Sequence, residues 1–136
     1  MSVLQMTSIN VIITGSREWT DRDIIRSALV DLCEQSSMMS ARSVMVHVGD
    51  SKGTDALALS VAMELGLKCH VYKAHWSSYG RSARPRRNHE MVDSAMSHGD
   101  CIMLAFPLSD SRGTIECMRY AAERGIEVVD CGVMNV

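Results

Sequence analysis

Residues 46–58 read Val-His-Val-Gly-Asp-Ser-Lys-Gly-Thr-Asp-Ala-Leu-Ala, and this stretch decides the fold. The apolar run 44–48 predicts a buried strand, and the glycine-containing turn that follows it leads directly into a helical pattern. A helix that starts in this way leaves its first N–H groups unpaired, at the positive end of the helix dipole. Such a turn is typical of an anion site, and a tight, well-capped turn without a ligand is the alternative.

Two further strands end in similar turns. Residues 11–17 read Val-Ile-Ile-Thr-Gly-Ser-Arg, and the apolar run 102–107 leads into Ser111-Arg112-Gly113-Thr114. In an open sheet of parallel strands the carboxyl ends meet at one edge, and ligands bind there where the strand order reverses. The sequence therefore predicts one ligand site that is built from three loops.

Strands and helices alternate along the whole chain. The predicted strands are residues 10–14, 43–48, 68–73, 101–106 and 127–131. The first predicted helix begins near Thr20, which caps it, and the second begins at about 53. The third follows a long loop over 74–86, and the fourth begins at about 113. A polar connector is expected over 35–42. Nearly continuous apolar strands imply a sheet that is covered on both faces. We therefore expect a Rossmann-like, doubly wound α/β three-layer sandwich with a five-stranded parallel sheet in the order 3-2-1-4-5. Residues 1–8 are expected to form a loose leader, and residues 9–136 a single domain.

Composition narrows the classes of function. The net charge is −2 and aromatic residues make up 4%, which argues against nucleic acid as a partner. Four arginines nevertheless lie within the seven residues 81–87, and such a cluster suits a small anion. The five cysteines form no C-x-x-C pair, which is typical of reduced thiols in a cytoplasmic protein. No apolar run approaches the roughly 20 residues of a membrane span, so no membrane partner is expected.

Several polar residues stand at the predicted strand ends. Arg17 is placed to bind a phosphate, with a surface salt bridge to a nearby aspartate as the alternative. Thr54 and Thr114 follow glycines at helix starts, where they either contact a ligand or cap the helix. Asp50 and Asp55 can accept hydrogen bonds from ribose hydroxyls, although an acid in the first turn also complements the helix dipole.

The long loop 74–86 resembles a lid over the site. Trp76 can stack on a base there, or it can plug the hydrophobic space under the loop. Asn88 is placed to cap the next helix, and Arg87 precedes it. We expect Glu116 to pair with Arg119 on an exposed helix face. The histidines show no metal-ligand spacing and no nucleotide motif of the G-x-G-x-x-G or Walker type is present, so the sequence implies no metal and no cofactor.

These motifs, in this order, resemble the SLOG superfamily, which is named for the DNA-processing Smf/DprA proteins and the LOG phosphoribohydrolases. The nearest branch is that of the small single-domain YspA/YpsA-related proteins. The resemblance is carried over about 10–129 by Gly15-Ser16-Arg17, Gly49-Asp50, Gly53-Thr54-Asp55, Trp76, Arg87-Asn88 with Met91, and Ser111 with Gly113-Thr114. It implies a Rossmann-like fold, a pocket for a nucleotide-derived ligand and a tendency to dimerise.

One departure from that pattern bears on activity. The phosphoribohydrolase branch carries a catalytic Glu three residues after the Gly-Thr pair, and the matching position here is Cys117. Glu116 is one residue earlier, about 100° round the helix. Arg87 with Met91 does fit the branch. The resemblance therefore leaves Arg87 and Glu116 as the candidate catalytic residues and makes hydrolase activity an open alternative.

The sequence thus predicts a protein that binds a nucleotide-derived phosphorylated ligand, such as an ADP-ribose-like compound or a nucleoside monophosphate. The predicted ligand-binding residues are Gly15, Ser16, Arg17, Gly49, Asp50, Gly53, Thr54, Asp55, Trp76, Arg87, Asn88, Ser111, Gly113 and Thr114. The alternatives are a nucleoside 5′-monophosphate phosphoribohydrolase and a DprA-like binder of single-stranded DNA. We also expect a homodimer or a higher homo-oligomer, because the methionine-rich helix around Met91 and Met96 exceeds what one sheet face needs, and we expect Arg86 or Arg87 close to the shared boundary.

Overall fold

A computed structural model describes residues 8–40, 43–109 and 111–132. The elements follow one another as β1 Ser8–Gly15, α1 Arg22–Ser40, β2 Ser43–Gly49, α2 Thr54–Glu64, β3 Lys68–Tyr72, α3 Trp76–Tyr79, a 3-10 turn Gly80–Ser82, α4 Ala83–His98, β4 Cys101–Phe106, α5 Arg112–Glu123 and β5 Glu127–Asp130. Residues 1–7 of the expected leader lie outside the described residues, and Ser8 already belongs to β1. No helix within the described ranges is long and apolar enough to cross a membrane.

The five strands form one parallel sheet in the order β3-β2-β1-β4-β5, as predicted. The chain runs outward from β1 through β2 to β3, and then crosses back to β4 on the other side of β1. Strand order therefore reverses between β1 and β4, and the loops after these strands diverge there. This is the position at which open α/β sheets bind ligands.

The two sheet faces carry separate cores, because successive residues of a strand point to opposite faces. Val11 and Ile13 of β1 pack on one face with Ile25 of α1 and Ala58 of α2. Ile12 packs on the other face with the residues that α4 and α5 contribute, among them Met91, Val92, Ala95, Cys117 and Ala121. Continuous apolar runs in the strands thus lead to a three-layer domain.

The burial of α4 removes the argument for a dimer. Met91, Val92 and Ala95 are at most 1% exposed and belong to the core under the sheet, so the apolar face of this helix is not in excess. Met96 packs against the same core. The homodimer stays a prediction without this support.

Both predicted ends of α1 are wrong, and so is the predicted start of α4. α1 begins at Arg22 rather than near Thr20, because Asp21 Oδ1 accepts the Ile24 N–H at 3.3 Å and so takes the capping position. α1 also continues to Ser40 through most of the expected connector.

The expected lid loop is helical instead. α4 starts at Ala83, which places Pro85 in the first turn, where its missing N–H costs nothing. Asn88 therefore lies inside the helix and does not cap it.

A buried polar network links three strands to α4. His47, which is 0% exposed, lies with Nε2 2.9 Å from Asn10 Oδ1 and Nδ1 2.8 Å from the Tyr72 hydroxyl. The Tyr72 hydroxyl is also 2.8 Å from Oγ of Ser94 on α4. A neutral imidazole that donates from Nε2 and accepts at Nδ1 satisfies both contacts. Burial, with smaller contributions from His98 and His70, lowers the pKa of His47 to about 4.

The free energy of unfolding should therefore depend on His47 in acid. The unfolded histidine binds a proton near its ordinary pKa of 6.5 whereas the folded one does so only near 4. The stabilising contribution is present above pH 6.5 and is lost as the pH falls toward 4, by about 3 kcal/mol at about 1.4 kcal/mol per pKa unit. As the pH falls from 7 to 4, the free energy of unfolding of His47→Gln in urea should rise relative to that of the wild type by about 3 kcal/mol. His75→Gln, at an exposed position, should match the wild type, and equal slopes for all three proteins would contradict the assignment.

Candidate functional site

The loop after β1 is seated on the start of α2. The Ser16 carbonyl accepts two hydrogen bonds from Thr54, one from the backbone N–H at 3.1 Å and one from Oγ1 at 3.0 Å. A Cβ on Gly15 would collide with the Thr54 side chain, and one on Gly53 would collide with the backbone of Ser16 and Arg17. Gly53 also has φ +73°, which favours glycine. The glycine turn predicted as an anion site thus packs against the β1 loop, and neither Thr54 donor faces a ligand.

Arg17 at the tip of this loop is exposed and lines a cleft. The Ser16 Oγ accepts the Glu18 N–H at 2.9 Å, which fixes the turn that carries Arg17. Arg17 forms no salt bridge with any residue in the described ranges, so the alternative, a salt bridge to a nearby aspartate, is not found. Its guanidinium is available to an anion in the cleft.

Arg87 lies in the floor of the site and is already paired. Its side chain is 2% exposed, and Nη1 donates to Asp50 Oδ1 at 2.7 Å and to the Tyr72 carbonyl at 3.2 Å. Nε donates to Asn88 Oδ1 at 2.8 Å. A Cβ on Gly49 would lie 2.5 Å from Nη1, so glycine is needed for the guanidinium to approach the strand end. The structure brings these predicted residues together, but as a scaffold in which Asp50 neutralises Arg87.

Asp55 lies beside this ion pair and is 8% exposed. Its Oδ2 accepts the Ser51 N–H at 3.1 Å. Burial raises the pKa of Asp55 to about 6, although the Ser51 N–H and the charges of Arg87 and Arg84 act in the opposite direction. A buried carboxyl group that titrates near neutrality in a cleft is typical of a functional site.

Arg84 is the residue that the sequence reasoning left out of the site. It lies in the first turn of α4, and its buried Nε has no hydrogen-bond partner within the described ranges. Burial lowers its pKa, and the neighbouring charges of Arg17 and Arg87 add to this effect. The arginine cluster 81–87 was the sequence signal for this residue. The segment was predicted to be a loop, and a loop does not indicate which of its arginines faces the site. A helical turn after Ser82 aims Arg84 into the cleft.

The start of α5 forms the opposite wall. Ser111 precedes the helix and its Oγ accepts the Leu108 N–H at 2.9 Å, while its carbonyl accepts the Ile115 N–H at 2.9 Å. Gly113 and Thr114 in the first turn line the cleft with Ser16, Arg17 and Arg84. The volume of about 490 Å³ is that of a small-molecule site. The cleft therefore combines the first turn of a helix with three arginines, Arg17, Arg84 and Arg112, that form no ion pair within the described residues.

A second, more apolar cavity of about 290 Å³ adjoins this cleft, and Arg84 and Gly113 line both. Trp76, Pro85, Asn88 and Glu116 complete much of its wall. Trp76 is 51% exposed, so it does not plug the space under α3 as the alternative had it. The cavity therefore offers an indole surface beside the cleft.

Glu116 makes a different pair from the one predicted. Its Oε2 lies 2.9 Å from Nε2 of His89 on α4, and the His89 ring stacks on Tyr120 at 3.9 Å. The expected bond to Arg119 on the same helix is not formed, because α4 packs against this face of α5. Cys117, at the position of the acid in the phosphoribohydrolase pattern, is buried, and burial raises its pKa to about 12. Cys117 is therefore a core thiol and not a nucleophile.

The fold is that of a Rossmann-like domain with a cleft at the strand-order switch point. The sequence profile of the YspA, cpYpsA-related SLOG family matches residues 9–79, and the chain belongs to this family. The gene 61 protein of Mycobacterium phage D29 is 37% identical over 127 residues, which span 90% of this chain and 95% of that protein. The predicted family is thus confirmed.

A solved structure of a DNA-processing protein is also similar. DNA processing protein A (DprA) from Streptococcus pneumoniae aligns with a TM-score of 0.44 and 15% identity. The alignment covers 96% of this chain and 61% of that chain.

Asp55 should make the free energy of unfolding depend on pH in the sense opposite to His47. Because its pKa is raised from 3.8 to about 6 on folding, its favourable contribution is present below pH 3.8 and is lost as the pH rises through 6. Asp55→Asn removes this loss, so its stability relative to the wild type should rise by about 3 kcal/mol between pH 4 and pH 7. Denaturant unfolding at both pH values measures the difference. Asp31→Asn, at an exposed position on α1, is the control, and a pH-independent difference for Asp55→Asn would disprove the shift.

Proposed function

We propose that the protein binds a nucleotide-derived phosphorylated ligand in the cleft between the β1 loop and α5. The proposal is carried by the buried Nε of Arg84, which has no hydrogen-bond partner among the described residues. A buried donor without a partner is costly, and a ligand acceptor would remove that cost. An anion also suits the first-turn amides of α5, at the positive end of its dipole.

We infer the phosphate position from the arginines near the cleft that are not already paired with a carboxylate. Arg87 is held by Asp50, so it contributes a fixed charge in the floor and no open donor pair. Arg17 and Arg84 line the same cleft as Gly113 and Thr114. A guanidinium fork and backbone N–H groups are both matched to phosphate oxygens. The phosphate therefore belongs between Arg17, Arg84 and the start of α5.

The adjoining cavity supports a nucleoside as the remainder of the ligand. Trp76 provides an exposed ring for a base, and Glu116 and Asn88 provide polar groups beside it. Since Arg84 and Gly113 line both cavities, one ligand can reach from the cleft to Trp76. The two Ser16 contacts with Thr54 hold the β1 loop in place for this ligand.

Removal of the Arg84 charge should weaken binding. Arg84→Met keeps most of the apolar stem, and the loss of charge-assisted hydrogen bonds of about 1.5–3 kcal/mol predicts an affinity about 10- to 100-fold lower. Isothermal titration and thermal shift with 5′-AMP, 5′-GMP and ADP-ribose measure this; a ligand at about 100 times its Kd should stabilise the wild type by about 2.7 kcal/mol. Arg26→Met, on α1, should leave binding unchanged. No thermal shift with any of these compounds at millimolar concentration would refute the proposed function.

The Trp76 side chain should contribute to the binding of the base and not to the binding of the phosphate. Trp76→Ala is expected to weaken nucleotide binding by about 1–3 kcal/mol, the usual contribution of a base stacked on an aromatic side chain. Ribose 5-phosphate, which has no base, should bind the variant and the wild type equally well. Trp76→Phe retains a ring and should restore part of the nucleotide affinity. Equal losses for nucleotide and ribose 5-phosphate would place Trp76 outside the base site.

A further inference from the structure

The Asp55 carboxylate, one oxygen of which has no hydrogen-bond partner among the described residues, lies at a small cavity that adjoins the cleft. Asp55 is more than nine-tenths buried, and its Oδ2 accepts the Ser51 N–H. Its Oδ1 accepts no hydrogen bond from any residue in the described ranges. The nearby Asp50 carboxylate, by contrast, receives Arg87 at 2.7 Å and the Ala74 N–H at 3.3 Å. Asp55 is therefore the buried acid that the scaffold leaves available.

A small polar cavity of about 10 Å³ lies against Asp55. This volume is about that of one water molecule. Thr14, Gly15, Arg84 and Gly113 are among the residues that line it, and Arg84, Gly113 and Thr114 also line the phosphate cleft. A water molecule in this cavity would lie against Asp55 and against three residues that also line the cleft of the proposed phosphate.

We propose that the protein hydrolyses a phosphate ester or phosphoanhydride bond of its ligand, with Asp55 as the general base for a water molecule in this cavity. The inference rests on the proposed function, because the cleft must first hold a phosphate. Asp55 accepts a proton from the water, whose oxygen forms a bond to phosphorus. The phosphorus–oxygen bond to the leaving group breaks, the leaving group departs with the electron pair and takes a proton from bulk water, and Asp55 returns its proton to bulk water.

The surroundings of Asp55 fit this role. Because burial raises its pKa to about 6, Asp55 is a carboxylate at neutral pH and still a stronger base than an exposed aspartate. Arg84 and Arg87 lie close enough to affect that pKa, and their charges also stabilise the negative charge of the transferring phosphoryl group.

Glu116 is less suited to this role. It is held by His89, is about half exposed, and does not line the water-sized cavity.

The test uses the full chain with 5′-AMP, 5′-GMP and ADP-ribose in water enriched in oxygen-18. The measured product is phosphate from 5′-AMP or 5′-GMP, and AMP with ribose 5-phosphate from ADP-ribose. The position of the oxygen-18 label in each product is also measured. Asp55→Asn should lower kcat by about 100-fold or more while the thermal shift by the nucleotide is retained. Asp31→Asn is the matched control and should keep the wild-type rate. The wild-type kcat should also fall below about pH 6, where Asp55 becomes protonated. If Asp55→Asn does not fold, Asp55→Glu takes its place, because it keeps a carboxylate in a shifted position.

Each outcome decides between the two proposals. Label in the phosphate product, lost in Asp55→Asn, supports the inference. Nucleotide binding without any cleavage overturns it and leaves the proposed function intact, whereas absence of binding overturns both. Release of free base would place the reaction at the sugar carbon and overturn attack at phosphorus. Cleavage at the same rate in Asp55→Asn and in Asp31→Asn would exclude Asp55 as the base.

Discussion

The ion pair between the buried Arg87 and the partly exposed Asp50 is the constraint on which the site depends. It joins α4 to the end of β2, and the second bond of Arg87, to the Tyr72 carbonyl, adds the end of β3. A buried guanidinium without a partner would be strongly destabilising, so these elements must meet in this one arrangement. Gly49 makes the approach possible, since a Cβ there would overlap the guanidinium. The same pairing occupies the Arg87 guanidinium and leaves Arg84 and Arg17 as the cations for the proposed ligand.

Two buried ionisable groups respond to acid in opposite directions, and both touch this scaffold. His47 is held neutral behind Tyr72, the residue whose carbonyl receives Arg87. Burial raises the pKa of Asp55 to about 6, although the charge of the neighbouring Arg87 acts in the opposite direction. In acid, the stability that His47 loses is similar in size to the stability that Asp55 gains. These two residues together should therefore change the free energy of unfolding of the whole protein little between pH 4 and 6. Only single variants separate the two contributions. A flat wild-type curve would therefore not show that these groups have ordinary pKa values.

The sheet could be predicted from the sequence because the central strands β1, β2 and β4 are largely apolar runs between turn residues. The β4 bounds are those predicted, and the strand order follows from the regular alternation with helices. The start of α4 could not be predicted in the same way, because Pro85 and the small residues before it are equally typical of a loop. Arg84 was missed as a consequence. Thr54 has the same local pattern whether it caps a helix, binds a ligand or receives another loop, and only the tertiary position of Ser16 decides among these.

The position of the acid shows how the site can differ from that of the phosphoribohydrolase branch that the sequence resembles. In that pattern the carboxylate comes from the helix that follows the Gly-Thr pair, which is α5 here. The corresponding residue, Cys117, lies in the core with a raised pKa, and the electrostatic influence of Asp55 reaches it. Asp55 projects from α2 on the other side of β1, and its carboxyl group lies at a cavity that Gly113 and Thr114 of α5 also line. A carboxylate is therefore present near the start of α5 although that helix does not supply it. The water-sized cavity that separates Asp55 from the cleft favours action through a water molecule over direct contact with a sugar carbon.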